Sequence, residues 1–337
     1  MKHSRRWMFV AGAVCFMLVA CDSGKSDSDT EANTRAADSD DPMNTAGNGA
    51  KAPATMEASP AEMDPAAEVT EAGLHWTKGA LVLRTDPFTV APGKERYLCW
   101  TYTTTEALKI NEVKFAGAPG VHHIIFARTT KPEPEGFSEC NVLFRTNWQQ
   151  LFTTGAGAAK LSLPSGTAHE VAAGSQLLVQ LHLVNATAQD MTQAVALTMG
   201  VTDESDTVPV QIGGFGTFKV SLPPGQTTTI VSECVMPKTA RMVALLPHMH
   251  LMGTSLTFEL GASEDDMKMV YARDPWDFDR QTIDNFDMTL EEGLHTRTTC
   301  KYNNTTDKTI TYGESTFDEM CFMGAFFAGE FINCVMF

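Results

Sequence analysis

The sequence predicts an all-β protein of two antiparallel β-sandwich domains in series. Three observations carry that prediction. Short apolar or alternating runs recur from about residue 74 onward, clusters of Gly, Pro, Asn and Asp separate them, and no stretch sustains helical periodicity. The folded part is about 260 residues long, which suits two domains of ordinary size rather than one.

The amino terminus comes first. Lys2, Arg5 and Arg6 precede an apolar run from Trp7 to Ala20. That is the charged and apolar pattern of an export signal, and the run is too short to span a bilayer. It ends in Leu18-Val19-Ala20-Cys21, which looks like a bacterial lipobox, so residues 1–20 read as a lipoprotein signal peptide and Cys21 as the lipidated residue. An ordinary cleaved signal peptide is the alternative. The expected location is the periplasm or the cell surface, with the membrane contacted through the lipid anchor alone.

Residues 21–73 are expected to form an acidic, disordered tether. From Asp22 to Glu71 the chain is Asp, Ala, Ser, Thr, Gly and Pro with few large apolar residues, too few to offset the entropy of folding. Twelve acidic residues there stand against Lys25, Arg35 and Lys51, a net of −9 out of the chain's −16. The acidity therefore belongs mostly to the spacer, and it argues against a nucleic-acid partner.

Strand-like runs follow at Leu108 to Phe115, Gln176 to Val184, Thr217 to Leu222, Met242 to Leu246 and Ser255 to Leu260. The polar stretch Thr202-Asp203-Glu204-Ser205-Asp206 marks the expected seam, dividing the folded part into 74–205 and 206–337. Of eight cysteines, setting aside Cys15 and Cys21 leaves Cys99, Cys140, Cys234, Cys300, Cys321 and Cys334. An even number in an exported chain favours disulfides, and six cysteines allow 15 connectivities.

The chemistry sits in histidine words. His122-His123, His182 and His248-Met249-His250 occur in that order, followed by Asp318-Glu319-Met320-Cys321. His182 lies in an apolar run that reads as a buried strand, where an unpaired imidazole is costly. His248 and His250 are two apart, so on a strand both project from one face. Neighbours on a strand point to opposite faces, so His122 and His123 reach one ion only at a strand end or a bulge; Gly117-Ala118-Pro119-Gly120 suggests a strand end. Imidazoles alone leave zinc open. A thioether from Met320 favours copper, although most of the 18 methionines should be core packing.

Taken in order, Tyr97-Leu98-Cys99, His122-His123, Gln180-Leu181-His182, His248-x-His250, Cys300-Lys301-Tyr302-Asn303 and Asp318-Glu319-Met320-Cys321 resemble the copper type II, ascorbate-dependent monooxygenases, the group of peptidylglycine alpha-hydroxylating monooxygenase and dopamine beta-monooxygenase. The resemblance runs from about Leu81 to the C-terminus. It implies two jelly-roll-like sandwiches and two copper ions. His122, His123 and His182 would hold an electron-transfer copper, and His248, His250 and Met320 the catalytic, oxygen-activating copper, with ascorbate as reductant. It also implies the pairs Cys99 with Cys140, Cys300 with Cys321, and Cys234 with Cys334. With one site on each sandwich, substrate would lie in the cleft between them.

The chain also departs from that family. Peptide-amidating members carry an arginine two residues before the first histidine of the His-x-His word, where this chain has Leu246; they carry Asn and Tyr where this chain has Phe322 and Gly324. Peptide amidation is therefore not expected. The stretch Trp276-Asp277-Phe278-Asp279-Arg280-Gln281 looks like the dopamine-hydroxylating branch, although an ordinary polar loop explains it equally well. The expected reaction is hydroxylation of a C–H bond in a small organic substrate, apolar or aromatic. The alternatives are a copper-binding or copper-delivery surface lipoprotein, supported by Met242, Met249, Met252 and Met323, and a lipid-anchored binding sandwich with structural histidines.

Overall fold

The computed structural model describes residues 64–140, 145–155 and 157–336. The export signal, Cys21 and the tether as far as residue 63 lie outside the described residues. Within them the protein is all-β, with strands throughout and one three-residue 3-10 turn, Pro65–Ala67. That turn corrects the tether's far end. Asp64 caps it and pairs with Lys114, Thr198 donates to Asp64, and Val69 is buried. Asp64, Val69 and the ion pair of Glu68 with Lys78 tie down residues that composition alone assigns to a spacer.

Two apolar cores organise the strands. The first includes Leu98, Trp100, Ile110, Phe115, Phe126 and Phe152. One of its walls is a five-stranded sheet in the order Gly136–Glu139, Glu95–Thr103, Gln176–Val184, Val121–Thr129, Trp148–Thr154. The second core includes Phe215, Phe258, Tyr302 and Phe327, and a four-stranded sheet of Gln226–Val235, His295–Asn304, Gly253–Gly261 and Lys268–Arg273 closes it.

An 11-stranded sheet serves both cores. The strand Val208–Thr217 makes the join. Its first residues pair in parallel with Thr167–Val171 of the first sandwich, and the remainder pairs antiparallel with Cys321–Ala328. The buried His169 ring bonds through Nδ1 to the Val210 carbonyl at 3.0 Å. Val210, Val243, Ala244, Ile283 and Phe326 contribute to the first core although they come from the second half of the chain. Gly213 lets the C-terminal segment close in beside this strand, since a Cβ there would lie 1.8 Å from the Ile332 carbonyl oxygen.

The strand expectations at Leu108–Phe115 and Gln176–Val184 match the observed elements. Thr217 to Leu222 is not one strand. It breaks after Thr217, where the Phe218 N–H turns to the Met336 carbonyl, and resumes as Ser221–Leu222 against Ile310–Thr311. Aromatic packing accounts for the break: Phe218 meets Tyr312 at 4.7 Å and Phe322 at 5.2 Å. The disulfides are Cys99–Cys140, Cys234–Cys334 and Cys300–Cys321, the pairs implied by the family resemblance.

Candidate metal centre

His122 and His123 stand at the head of Val121–Thr129, and His182 lies in the neighbouring Gln176–Val184. In the ladder His182 is opposite His123 while Leu183 is opposite Val121, so His122 is the extra residue of a β-bulge. A bulge re-aims a side chain that strict alternation would send to the other face. The strand start alone, expected from Gly117–Gly120, does not bring both histidines round; the bulge does. Ligand nitrogens of the three residues all lie within 4.8 Å of one another.

Hydrogen bonds decide which nitrogens are available. The Nε2 of His182 faces the Glu95 carboxylate, an acceptor, so the proton sits there and Nδ1 keeps its lone pair. That Nδ1 is 3.1 Å from the Nδ1 of His123. The Nε2 of His122 meets the Thr316 hydroxyl at 3.3 Å, and its buried Nδ1 has no hydrogen-bond partner. Tyr97 stacks parallel on His182 at 4.3 Å and holds the ring flat. An orphaned Nδ1 beside two converging ring nitrogens is a donor set that a cation satisfies and a hydrogen bond does not.

The second group is built differently. His248 closes the strand Ala240–His248, and His250 lies beyond its end, so the two do not share a strand face as their spacing suggests. They meet because the chain turns after His248, leaving the rings edge-on at 5.1 Å. His248 donates from Nδ1 to Gln281 Oε1 at 2.6 Å, and His250 donates from Nδ1 to the Asp318 carbonyl at 3.1 Å. Both Nε2 atoms therefore keep lone pairs. The amide of Gln281 is itself oriented by donating from Nε2 to the Phe278 carbonyl at 3.0 Å.

Met320 is buried and lines the same cavity as His248 and His250. It sits just before the strand Cys321–Ala328 rather than on it, next to the Cys300–Cys321 bridge. Glu319, fully buried, accepts the backbone N–H groups of His250 at 2.9 Å, Met252 at 2.6 Å and Met320 at 3.2 Å. One carboxylate thus ties the His-x-His turn to the methionine. The neighbouring Met242 and Met249 are core residues, fully buried in the second apolar cluster, and Met323, equally buried, also lines the cavity.

Burial sets the protonation states. It lowers His122 to about 4, helped by the nearby His182 and His250, and lowers His248 to about 3. His123 is held well below its ordinary value, and His182 and His250 are lowered as well, each chiefly by burial. At neutral pH all five rings are in the uncharged form that binds metals. Burial pushes Glu319 the other way, up to about 7.

Both groups face one cavity of about 890 Å³, lined by His122, His123, His248, His250 and Met320, with His182 set behind the first two. Residues 210–328 match the sequence profile described as copper type II ascorbate-dependent monooxygenase, C-terminal domain. The second sandwich is a copper type II ascorbate-dependent monooxygenase domain. Its match takes in His248, His250 and Met320, and the family is copper- and ascorbate-dependent. No curated protein matches the chain. Among solved structures, an allantoicase aligns at 9% identity over 67% of this chain and 75% of that chain, with a TM-score of 0.20. PNGF-II aligns at 9% identity over 79% and 63%, with a TM-score of 0.26. The VP2 subviral particle of infectious bursal disease virus aligns at 11% over 73% and 70%, with a TM-score of 0.17. At such scores these likenesses carry no argument about the monooxygenase domain.

Sequence reading alone does not find the residues that orient the candidate ligands. Gln281 and Glu319 lie in stretches whose wording drew attention, but their roles depend on contacts made across the fold. Nothing in the sequence connects Glu95 with His182, 87 residues away.

Proposed function

We infer that the protein is a two-copper monooxygenase that hydroxylates a C–H bond of an uncharged apolar or aromatic substrate, with dioxygen and a one-electron donor such as ascorbate. The observation that carries this reading is the pair of unlike donor sets at one cavity, His122 and His123 with His182 grouped beside them, and His248 and His250 with the thioether of Met320. When bound, copper supplies one-electron redox chemistry at the first set and dioxygen activation at the second, where a soft sulfur ligand favours the reduced ion. The net conversion takes R–H, dioxygen, two electrons and two protons to R–OH and water.

The chain's own residues set the conditions. Glu95 and Gln281 fix ring orientation and tautomer at His182 and His248, the kind of support that outer hydrogen bonds give metal ligands. Substrate selection follows from the cavity wall. Its guanidinium, Arg145, is already bonded to Glu133 and lies over the Trp148 ring at 5.5 Å, so among the described residues of the lining no free cation awaits a carboxylate. Leu246 and Phe322 present hydrocarbon near His248 instead. A volume of about 890 Å³ is large for one aromatic ring and falls within the usual range of ligand pockets.

We also assign the protein to an exported, lipid-anchored state through Cys21. Fatty-acid labelling that disappears on Cys21→Ala supports this; labelling that persists refutes it. The enzymatic reading is tested by copper stoichiometry together with ascorbate-driven oxygen uptake. Two coppers per chain, with uptake lost on His248→Ala, is the expected result. One copper without uptake turns the reading to copper handling, and none turns it to a sandwich with structural histidines.

A further inference from the structure

The first histidine group is not enclosed by the first sandwich alone. Two segments of the second sandwich reach His122. Thr316 meets its Nε2 at 3.3 Å, and the Phe278 ring packs against it at 5.6 Å. Each segment also orients a histidine of the second group. The Thr316 segment supplies the Asp318 carbonyl that holds His250 and leads directly into Met320. The Phe278 segment supplies Gln281, which holds His248 and is itself held by the Phe278 carbonyl. Both routes are short and made of packed or hydrogen-bonded groups.

We propose that Thr316 and Phe278 are positioning residues for His122, through which occupation of the second metal site sets the geometry and affinity of the first. This inference rests on the two-copper reading above. Thr316 accepts from His122 Nε2–H, which keeps the Nδ1 lone pair turned toward His123 and His182. Phe278 limits the ring's rotation. A cation held by His248, His250 and Met320 fixes the two segments, and fixed segments hold His122 in its binding orientation. Linkage makes the effect reciprocal, so filling the first site raises affinity at the second by the same factor.

The test is a Cu(II) titration of the full-length protein, with first-site copper followed by electron paramagnetic resonance in four chains. These are the unaltered protein, His250→Ala, Thr316→Val combined with Phe278→Ala, and all three substitutions together. The expected result is that His250→Ala weakens first-site copper by about 5-fold or more, within the usual range of site-to-site coupling, and alters its spectrum. In the Thr316→Val, Phe278→Ala background, His250→Ala changes neither. A further pair of chains, Thr316→Ser with and without His250→Ala, keeps the hydroxyl, preserves the coupling and separates loss of the bond from loss of fold. If His250→Ala leaves the first site unchanged, or acts equally in both backgrounds, the coupling is overturned while the two-copper reading stands. Absence of copper from both sites overturns both.

Discussion

His123 and His182 face each other across two hydrogen-bonded strands, and either could move only by breaking that ladder. His248, His250 and Met320 come from a strand end, a turn and the residue before another strand, and they are held by Gln281, the Asp318 carbonyl and Glu319. One donor set is therefore fixed by sheet, the other by a shell of individual bonds. Under the proposed function this difference has a use. An electron carrier benefits from ligands that barely move between oxidation states, whereas a centre that takes up dioxygen needs an open position, and loops can leave one. The sheet-borne set also needed a defect, the bulge at His122, before three imidazoles could converge.

The largest effect should come from the second set. Met320→Ile is expected to abolish hydroxylation while one copper per chain stays bound, as read by metal analysis; loss of both coppers would erase the distinction between the sets. Next in size are the disulfides. Replacing Cys300 and Cys321 with Ala should cost about 3 kcal/mol of stability and also lower second-site copper. Replacing Cys99 and Cys140 should cost a similar amount with both coppers retained. Denaturant unfolding and metal analysis together check this pair.

Smaller effects belong to the orienting groups. Gln281→Leu should weaken second-site copper by about 10- to 100-fold and leave the first site's intrinsic ligand geometry to Glu95. Glu95→Gln should weaken the first site toward the lower end of that range, because an amide oxygen can still accept from His182. Competitive titration with a chelator of known affinity would measure both. Acid is the remaining perturbation. In the metal-free protein, burial lowers His122 to about 4 and His248 to about 3, so between those values and about 6.5 the unfolded chain binds more protons than the folded one. Their contribution to stability is full above about 6.5 and is lost as pH falls toward 4. Glu319, raised to about 7, acts in the opposite sense, favouring the folded state as pH drops from about 7 toward its ordinary value. A melting temperature that falls between pH 6.5 and 4, with a smaller fall in a His122→Phe chain, is the expected outcome.

Alternation and turn residues made the β class legible, as the exact correspondence of Leu108–Phe115 and Gln176–Val184 shows. That the histidine words belong together was legible too, since His122, His123, His248 and His250 all line one cavity. Geometry was not. Two-residue spacing suggested one strand face for His248 and His250, but the strand ends between them. The bulge at His122 arises from register against Leu183, which no local pattern encodes. Residues 64–73 read as spacer because composition averages over a window, while a few contacts from Asp64, Glu68 and Val69 dock them.

The strand Val208–Thr217 has one further consequence. Because it pairs with Thr167–Val171 at one end and Cys321–Ala328 along the rest, and because Val210 and Phe326 are sunk in the first core, the two walls of the cavity are framed by a single piece of backbone. Under the proposed function, that frame makes the mouth a gauge of fixed aperture and not a jaw, and a change of substrate range is then expected from trimming the lining and not from loosening a hinge.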